Sequence, residues 1–95
     1  MFEATVDILN PSGLHARPAA AFVQTAARFG SDLRVANVTR DPDRLVNAKS
    51  ILAVLGLAVS HGHRLRIVAE GEDAEIAVAA LTDAIRAGLG EAAAL

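Results

Sequence analysis

Gly13-Leu14-His15-Ala16-Arg17-Pro18 opens the first apolar-periodic run of the chain, and its proline says where a helix must begin. A proline fits such a run only in the first turn, where its missing N–H would have had no intrahelical partner. The helix therefore starts close to His15. Its first free N–H groups, on Ala16 and Arg17, point toward the space beside the imidazole, and the positive end of the helix dipole lies there too. A mouth of this kind is an oxyanion site. The Arg17 guanidinium adds a planar fork of donors suited to phosphate or carboxylate. A neutral His15 imidazole carries a ring nitrogen lone pair able to attack phosphorus. On these residues alone, a surface histidine followed by an arginine is the competing interpretation.

Working outward, Phe2, Ala4, Val6 and Ile8 alternate with Glu3, Thr5 and Asp7, which predicts a strand with one wet side. Asn10-Pro11-Ser12-Gly13 is a turn cluster. Ala19, Phe22, Val23, Ala26 and Phe29 recur at helical spacing, so a helix is expected from Ala16 to Phe29 with Gly30 as its C-cap residue. Leu33 and Val35 predict a second strand through about Val38. The charged loop Thr39–Arg44 follows, and Leu45-Val46 begins a short third strand that pairs antiparallel across that loop. Asn47 or Ser50 can cap a short helix through about Leu55. Arg64–Ala69 alternates as a fourth strand with Leu65, Ile67 and Ala69 inward. Gly71-Glu72-Asp73 opens a last helix with the stripe Ala74, Ala77, Val78, Leu81 and Ile85, ended by Gly88 or Gly90.

The order β-α-β-β-α-β-α predicts an α+β fold: a four-stranded, mainly antiparallel sheet with three helices on one face, an open-faced β-sandwich. Residues 1–90 are expected to form one domain. Glu91-Ala92-Ala93-Ala94-Leu95 is expected as a tail, either a frayed helix end or disordered.

Composition narrows the function classes. Ninety-five residues support a single core. The chain is 53% hydrophobic and 21% charged, with a net charge of −2, so no global basic field draws it to nucleic acid or to an anionic membrane. It has no cysteine, which excludes disulfides and thiolate chemistry. With neither Trp nor Tyr and three Phe, recognition of bases or sugars by stacking is disfavoured. No apolar stretch is long enough to insert in a membrane, and a cytoplasmic monomer is expected. His61-Gly62-His63 offers two ligands only and reads as a solvated turn with Gly62 at positive φ, so neither a metal nor any cofactor is expected.

Two separate blocks resemble the HPr family, the phosphohistidine carriers of the bacterial sugar phosphotransferase system. They are Gly13-Leu14-His15-Ala16-Arg17-Pro18-Ala19, and Val46-Asn47-Ala48-Lys49-Ser50-Ile51-Leu52 with the Leu57–Gly62 segment after it. The resemblance covers residues 4–90 and implies the HPr-like open-faced sandwich. It further implies that His15 accepts a phosphoryl group from enzyme I on Nδ1 and passes it to an enzyme IIA domain. The Ala16 and Arg17 N–H groups and the Arg17 side chain would stabilise the group in transit. Such a carrier is a covalent intermediate without turnover of its own. Ser50 corresponds to a serine that some relatives phosphorylate with an HPr kinase and others use only as a helix cap.

The family's docking surface maps onto an apolar patch of Ile51, Leu52 and Leu55 with a rim of Ala20, Gln24, Arg28 and Lys49. Within the patch Leu52 and Leu55 are expected to be partly exposed, and Ile51 and Val54 more buried. Two departures from the family pattern stand out: the loop from Val38 to Arg44 is longer than usual, and residue 20 is Ala where a hydroxyl residue is common. Competing functions are a regulatory binding module controlled through Ser50, and a carrier for a nitrogen-related or dihydroxyacetone-kinase branch.

Overall fold

Alternation along the strands sorts the chain into two layers. The computed structural model describes residues 1–91, and its strands are β1 Phe2–Asp7, β2 Asp32–Asn37, β3 Val46–Asn47 and β4 Arg64–Glu70. They form one sheet in the order β1-β4-β2-β3, with every neighbouring pair antiparallel. Val6, Leu33, Val35, Leu65, Ile67 and Ala69 are buried on the inner face. The outer face stays wet and carries the Arg66–Glu3 and Arg64–Asp7 ion pairs, at 2.8 and 3.1 Å. Exposed pairs of this kind add little stability. The expected third strand shifts by one residue: β3 meets β2 through Arg34 opposite Asn47 and Val35 opposite Val46, so the longer loop leaves the antiparallel pairing intact.

Three helices, α1 Ala16–Ala26, α2 Ile51–Gly56 and α3 Ala74–Arg86, complete the order read from the sequence. α1 and α3 bury Ala19, Phe22, Ala26, Ala77, Leu81 and Ile85, the stripes their spacing predicts. α2 is a turn and a half long and rests on α1 and β3. Leu14, Leu57, Val59 and Leu89 are also in the core, although each lies outside any periodic run.

The ends of two helices differ from expectation. α1 stops at Ala26 rather than Phe29, because the Arg28 and Phe29 N–H groups bond three residues back, to Thr25 and Ala26, and tighten the last turn. Gly30 is then not a left-handed cap; its N–H donates to Asp73 Oδ2 at 2.9 Å. Asp73 sits at the N-cap position of α3 but makes no side-chain bond to that helix. Its carboxylate instead accepts from Gly30 N–H, Ser31 N–H and the Ser31 hydroxyl, which ties the α1–β2 corner to the start of α3. At the other end of that helix Gly88 has φ +93°, as a glycine just past a C-cap should.

A buried polar hub, Asn37, sits at the end of β2. Its amide donates to the Leu57 carbonyl at 3.2 Å and to His63 Nδ1 at 3.1 Å, while its oxygen accepts from the Thr39 and Arg40 N–H groups. The Ser60 N–H also donates to His63 Nδ1, so that nitrogen acts as an acceptor within the turn. Gly62 has the expected positive φ, +88°. Among the described residues no group of three or more His, Asp or Glu side chains is placed to share a metal ion.

The Ser31 hydroxyl first, and then the Gly30 N–H, hold the Asp73 carboxyl below the usual carboxylate range. A depressed carboxyl contributes stability above its unfolded value and loses it as pH falls through the folded one. Asp73→Asn should therefore melt at a lower temperature than the parent at pH 7, with the gap closing as pH falls through the carboxylate range. Thermal melts of both proteins across that range check this, and equal melting temperatures at pH 7 would contradict it.

Candidate functional site

The position of His15 is set from behind by a loop with little freedom. Gly13 has φ +60°, and a Cβ there would meet the Val59 carbonyl oxygen and lie 2.7 Å from Ser60 Cα. Only glycine allows that approach. It lets the Leu14 N–H donate to the Val59 carbonyl at 2.9 Å, while the Leu14 side chain is fully buried. Asn10 closes the other side, its amide donating to the Gly13 carbonyl at 2.9 Å. The loop is thus clamped to the core immediately before the histidine.

His15 is the N-cap residue of α1, with extended backbone at φ −121° and ψ 156°. Its side chain does not bond back to the helix, so it leaves the helix mouth open. The Ala16 and Arg17 N–H groups have no intrahelical partner, and Pro18 has none to offer. The first helical bond, from Ala19 N–H to the His15 carbonyl, is long at 3.5 Å. Ala16 itself has φ +49°, a left-handed conformation that costs a non-glycine residue roughly 1 kcal/mol. It persists because the clamped loop on one side and Pro18 on the other both constrain it. His15, Ala16 and Arg17 are all exposed, and neither His15 nor Arg17 has a side-chain hydrogen bond or ion pair among the described residues. No acidic side chain occupies the first turn. The arrangement presents two backbone donors, a guanidinium and an imidazole to whatever anion approaches.

Ser50 is the N-cap of α2, and its hydroxyl accepts from the Ala53 N–H at 3.3 Å. Asn47, the other candidate cap, instead accepts from the Lys49 N–H at 2.9 Å. Leu52 is 79% exposed and Val54 is buried, as expected. Leu55 is half-buried and packs against the core. Ile51 corrects the expectation: it is exposed, at 39%, because α2 is six residues long and packs mainly on α1 and β3, which leaves its first turn partly uncovered. Along the rim Gln24 and Arg28 are exposed and Ala20 is half-buried. Arg28 lies over the Phe29 ring, 5.9 Å from its centroid. Lys49 is more occupied than a rim charge need be, with its ammonium donating to the Phe29 carbonyl at 2.7 Å.

An open-faced sandwich that holds an exposed histidine at the bare start of its first helix defines a class, that of the small histidine phosphocarriers. The chain matches the family model for the PTS HPr component phosphorylation site over residues 2–87, and it belongs to the HPr family of the phosphotransferase system. A phosphocarrier protein HPr of Haloferax volcanii is 51% identical over 81 residues, which are 85% of this chain and 89% of that protein. A multiphosphoryl transfer protein of Vibrio cholerae is 52% identical over 88 residues, which are 93% of this chain but 22% of the relative. The chain thus spans about a fifth of the multiphosphoryl transfer protein. Among solved structures, HPr-C-His from Thermoanaerobacter tengcongensis superposes with a TM-score of 0.89 at 47% identity, covering 97% of this chain and 99% of that one. HPr from Bacillus anthracis gives 0.78 at 40% identity, covering 86% and 93%.

The clamp and the cap each make a separate prediction. Gly13→Ala should destabilise the fold by more than about 1 kcal/mol, since it adds a collision to an unfavourable φ. Ser50→Ala should cost about 1 kcal/mol through the lost cap. Urea unfolding measures both, and a Gly13→Ala protein as stable as the parent would contradict the account of the loop.

Proposed function

We propose that His15 is the acceptor for a phosphoryl group delivered by phospho-enzyme I, and that it passes the group on to an enzyme IIA domain. One observation carries this: the His15 imidazole is exposed beside a helix mouth whose only free donors, Ala16 and Arg17 N–H, are left unsatisfied by any cap. A dianionic group bound to the ring would meet those donors and the Arg17 fork. The nitrogen lone pair forms the new N–P bond as the donor's bond to phosphorus breaks, and the electron pair of that bond stays with the donor. Transfer onward reverses the roles. Two exposed backbone donors and one mobile guanidinium stabilise charge in transit without enclosing the product, which suits a carrier that must also give the group away. On this reading the protein is a covalent intermediate in a relay rather than an enzyme with its own turnover.

Partners would dock on His15 together with the exposed side chains of Leu52, Ile51, Gln24 and Arg28. Exposed aliphatic side chains with a cationic margin match an acidic, partly apolar partner. Lys49 and Leu55 contribute less, the first through its bond to Phe29 and the second through its packing. For Ser50 the capping bond favours a structural role, with an HPr kinase as the partner should phosphorylation occur.

His15→Ala should take up no phosphate from phosphoenolpyruvate and enzyme I, while its fold and melting behaviour stay near those of the parent, because an exposed N-cap side chain packs little. Arg17→Lys should still be phosphorylated, but at a markedly lower rate, since it keeps the charge and loses the fork. Intact mass after incubation reads the first and a rapid-quench time course the second. Acid-labile phosphate on the His15→Ala protein would remove His15 from the role.

A further inference from the structure

α3 does not simply end. After its C-cap the chain passes through Gly88, Leu89 and Gly90, with φ of +93°, +52° and +86°. A leucine in the left-handed region is uncommon, and here its side chain is buried in the core. This run turns the backbone so that Glu91, expected at the head of a frayed or disordered tail, reaches the loop that carries His15; the rest of that tail lies outside the described residues. Glu91 Oε1 accepts from Asn10 Nδ2 at 2.9 Å and from the Ser12 N–H at 3.0 Å, and Oε2 accepts from the Ser12 hydroxyl at 2.8 Å.

Asn10 connects this carboxylate to the site. The same amide nitrogen donates to Glu91 and to the Gly13 carbonyl, so both of its hydrogens are used, and the Gly13 N–H returns a bond to the Asn10 carbonyl at 3.2 Å. The Gly13–Leu14 peptide is thereby held at both ends, its carbonyl by Asn10 and its N–H by Val59. His15 is the next residue. We infer that Glu91 is a positioning residue for His15: it orients the Asn10 amide, which holds the peptide that sets where the imidazole sits at the mouth of α1.

The Asn10 amide first, and then the Ser12 N–H and hydroxyl, keep the Glu91 carboxyl below the usual carboxylate range, so the contact is ionised at neutral pH. The inference rests on the carrier role proposed for His15, and its test separates the two. Full-length Glu91→Ala and Glu91→Gln proteins are compared with the parent at a temperature where all three are folded. The readouts are amide hydrogen exchange at Gly13 and Leu14, the His15 ring resonances, and the phosphorylation rate against enzyme I concentration.

In Glu91→Ala, exchange at Leu14 should speed up, the His15 resonances should move, and the maximal rate should fall several-fold while the enzyme I concentration for half-maximal rate holds. Glu91→Gln keeps an acceptor for Asn10 but turns an amide toward the Ser12 hydroxyl, so it should recover part of the rate. A Glu91→Ala protein that melts lower but has unchanged His15 resonances and an unchanged rate would reduce Glu91 to a staple and overturn the inference. Absence of His15 phosphorylation in the parent would instead defeat the carrier role, and the exchange and ring resonances would still decide whether Glu91 positions His15.

Discussion

The Gly13–Leu14 peptide is the joint on which the site turns. Its N–H is taken by the Val59 carbonyl at 2.9 Å and its C=O by the Asn10 amide at the same distance, and a side chain at residue 13 would collide with the Val59 carbonyl and Ser60. Val59 leads into a turn that is itself tied to the end of β1, since the Ile8 N–H bonds the His63 carbonyl and the Gly62 N–H bonds the Ile8 carbonyl. Through these bonds the start of α1 is referenced to the sheet and not merely to its own helix. With Leu14 anchored in the core, the chain can hold Ala16 at a positive φ and leave His15 free of any capping duty.

Much of this was legible in the sequence because the determinants are local. Proline in a first turn, period-two alternation in β1 and β4, and helical stripes in α1 and α3 each depend on neighbours a few residues away. What the sequence did not disclose depends on long-range partners. Asp73 read as the opening of α3, yet its carboxylate serves Gly30 and Ser31. Asn37 lies where a strand ends, and nothing in its neighbours marks it as a buried hub for residues from Leu57 to His63. Glu91 followed a glycine pair that signals the end of a helix but not where the chain goes next. Leu14 and Leu89 are single apolar residues in turns, where periodicity has no purchase. Ile51, expected to be more buried than Leu52 and Leu55, is exposed because a helix of six residues does not cover every side of its own first turn.

Local charge matters more here than the total. A net charge of −2 says nothing of the α1 mouth, where Arg17 is exposed and the first turn holds no acid. The chemistry proposed for His15 needs this imbalance, but needs it to be modest. A buried, fully coordinated phosphate site would retain its product, whereas exposed N–H donors and one side chain able to swing away would release it.

The central claim is therefore that His15, and neither His61 nor His63, forms the bond to phosphorus. The most direct measurement is a nitrogen-15 spectrum of the imidazole rings before and after treatment with enzyme I and phosphoenolpyruvate. It should show phosphorus coupling at His15 Nδ1, with the His61 and His63 rings unchanged. Coupling at either of those two rings, or at none of the three, would contradict the account.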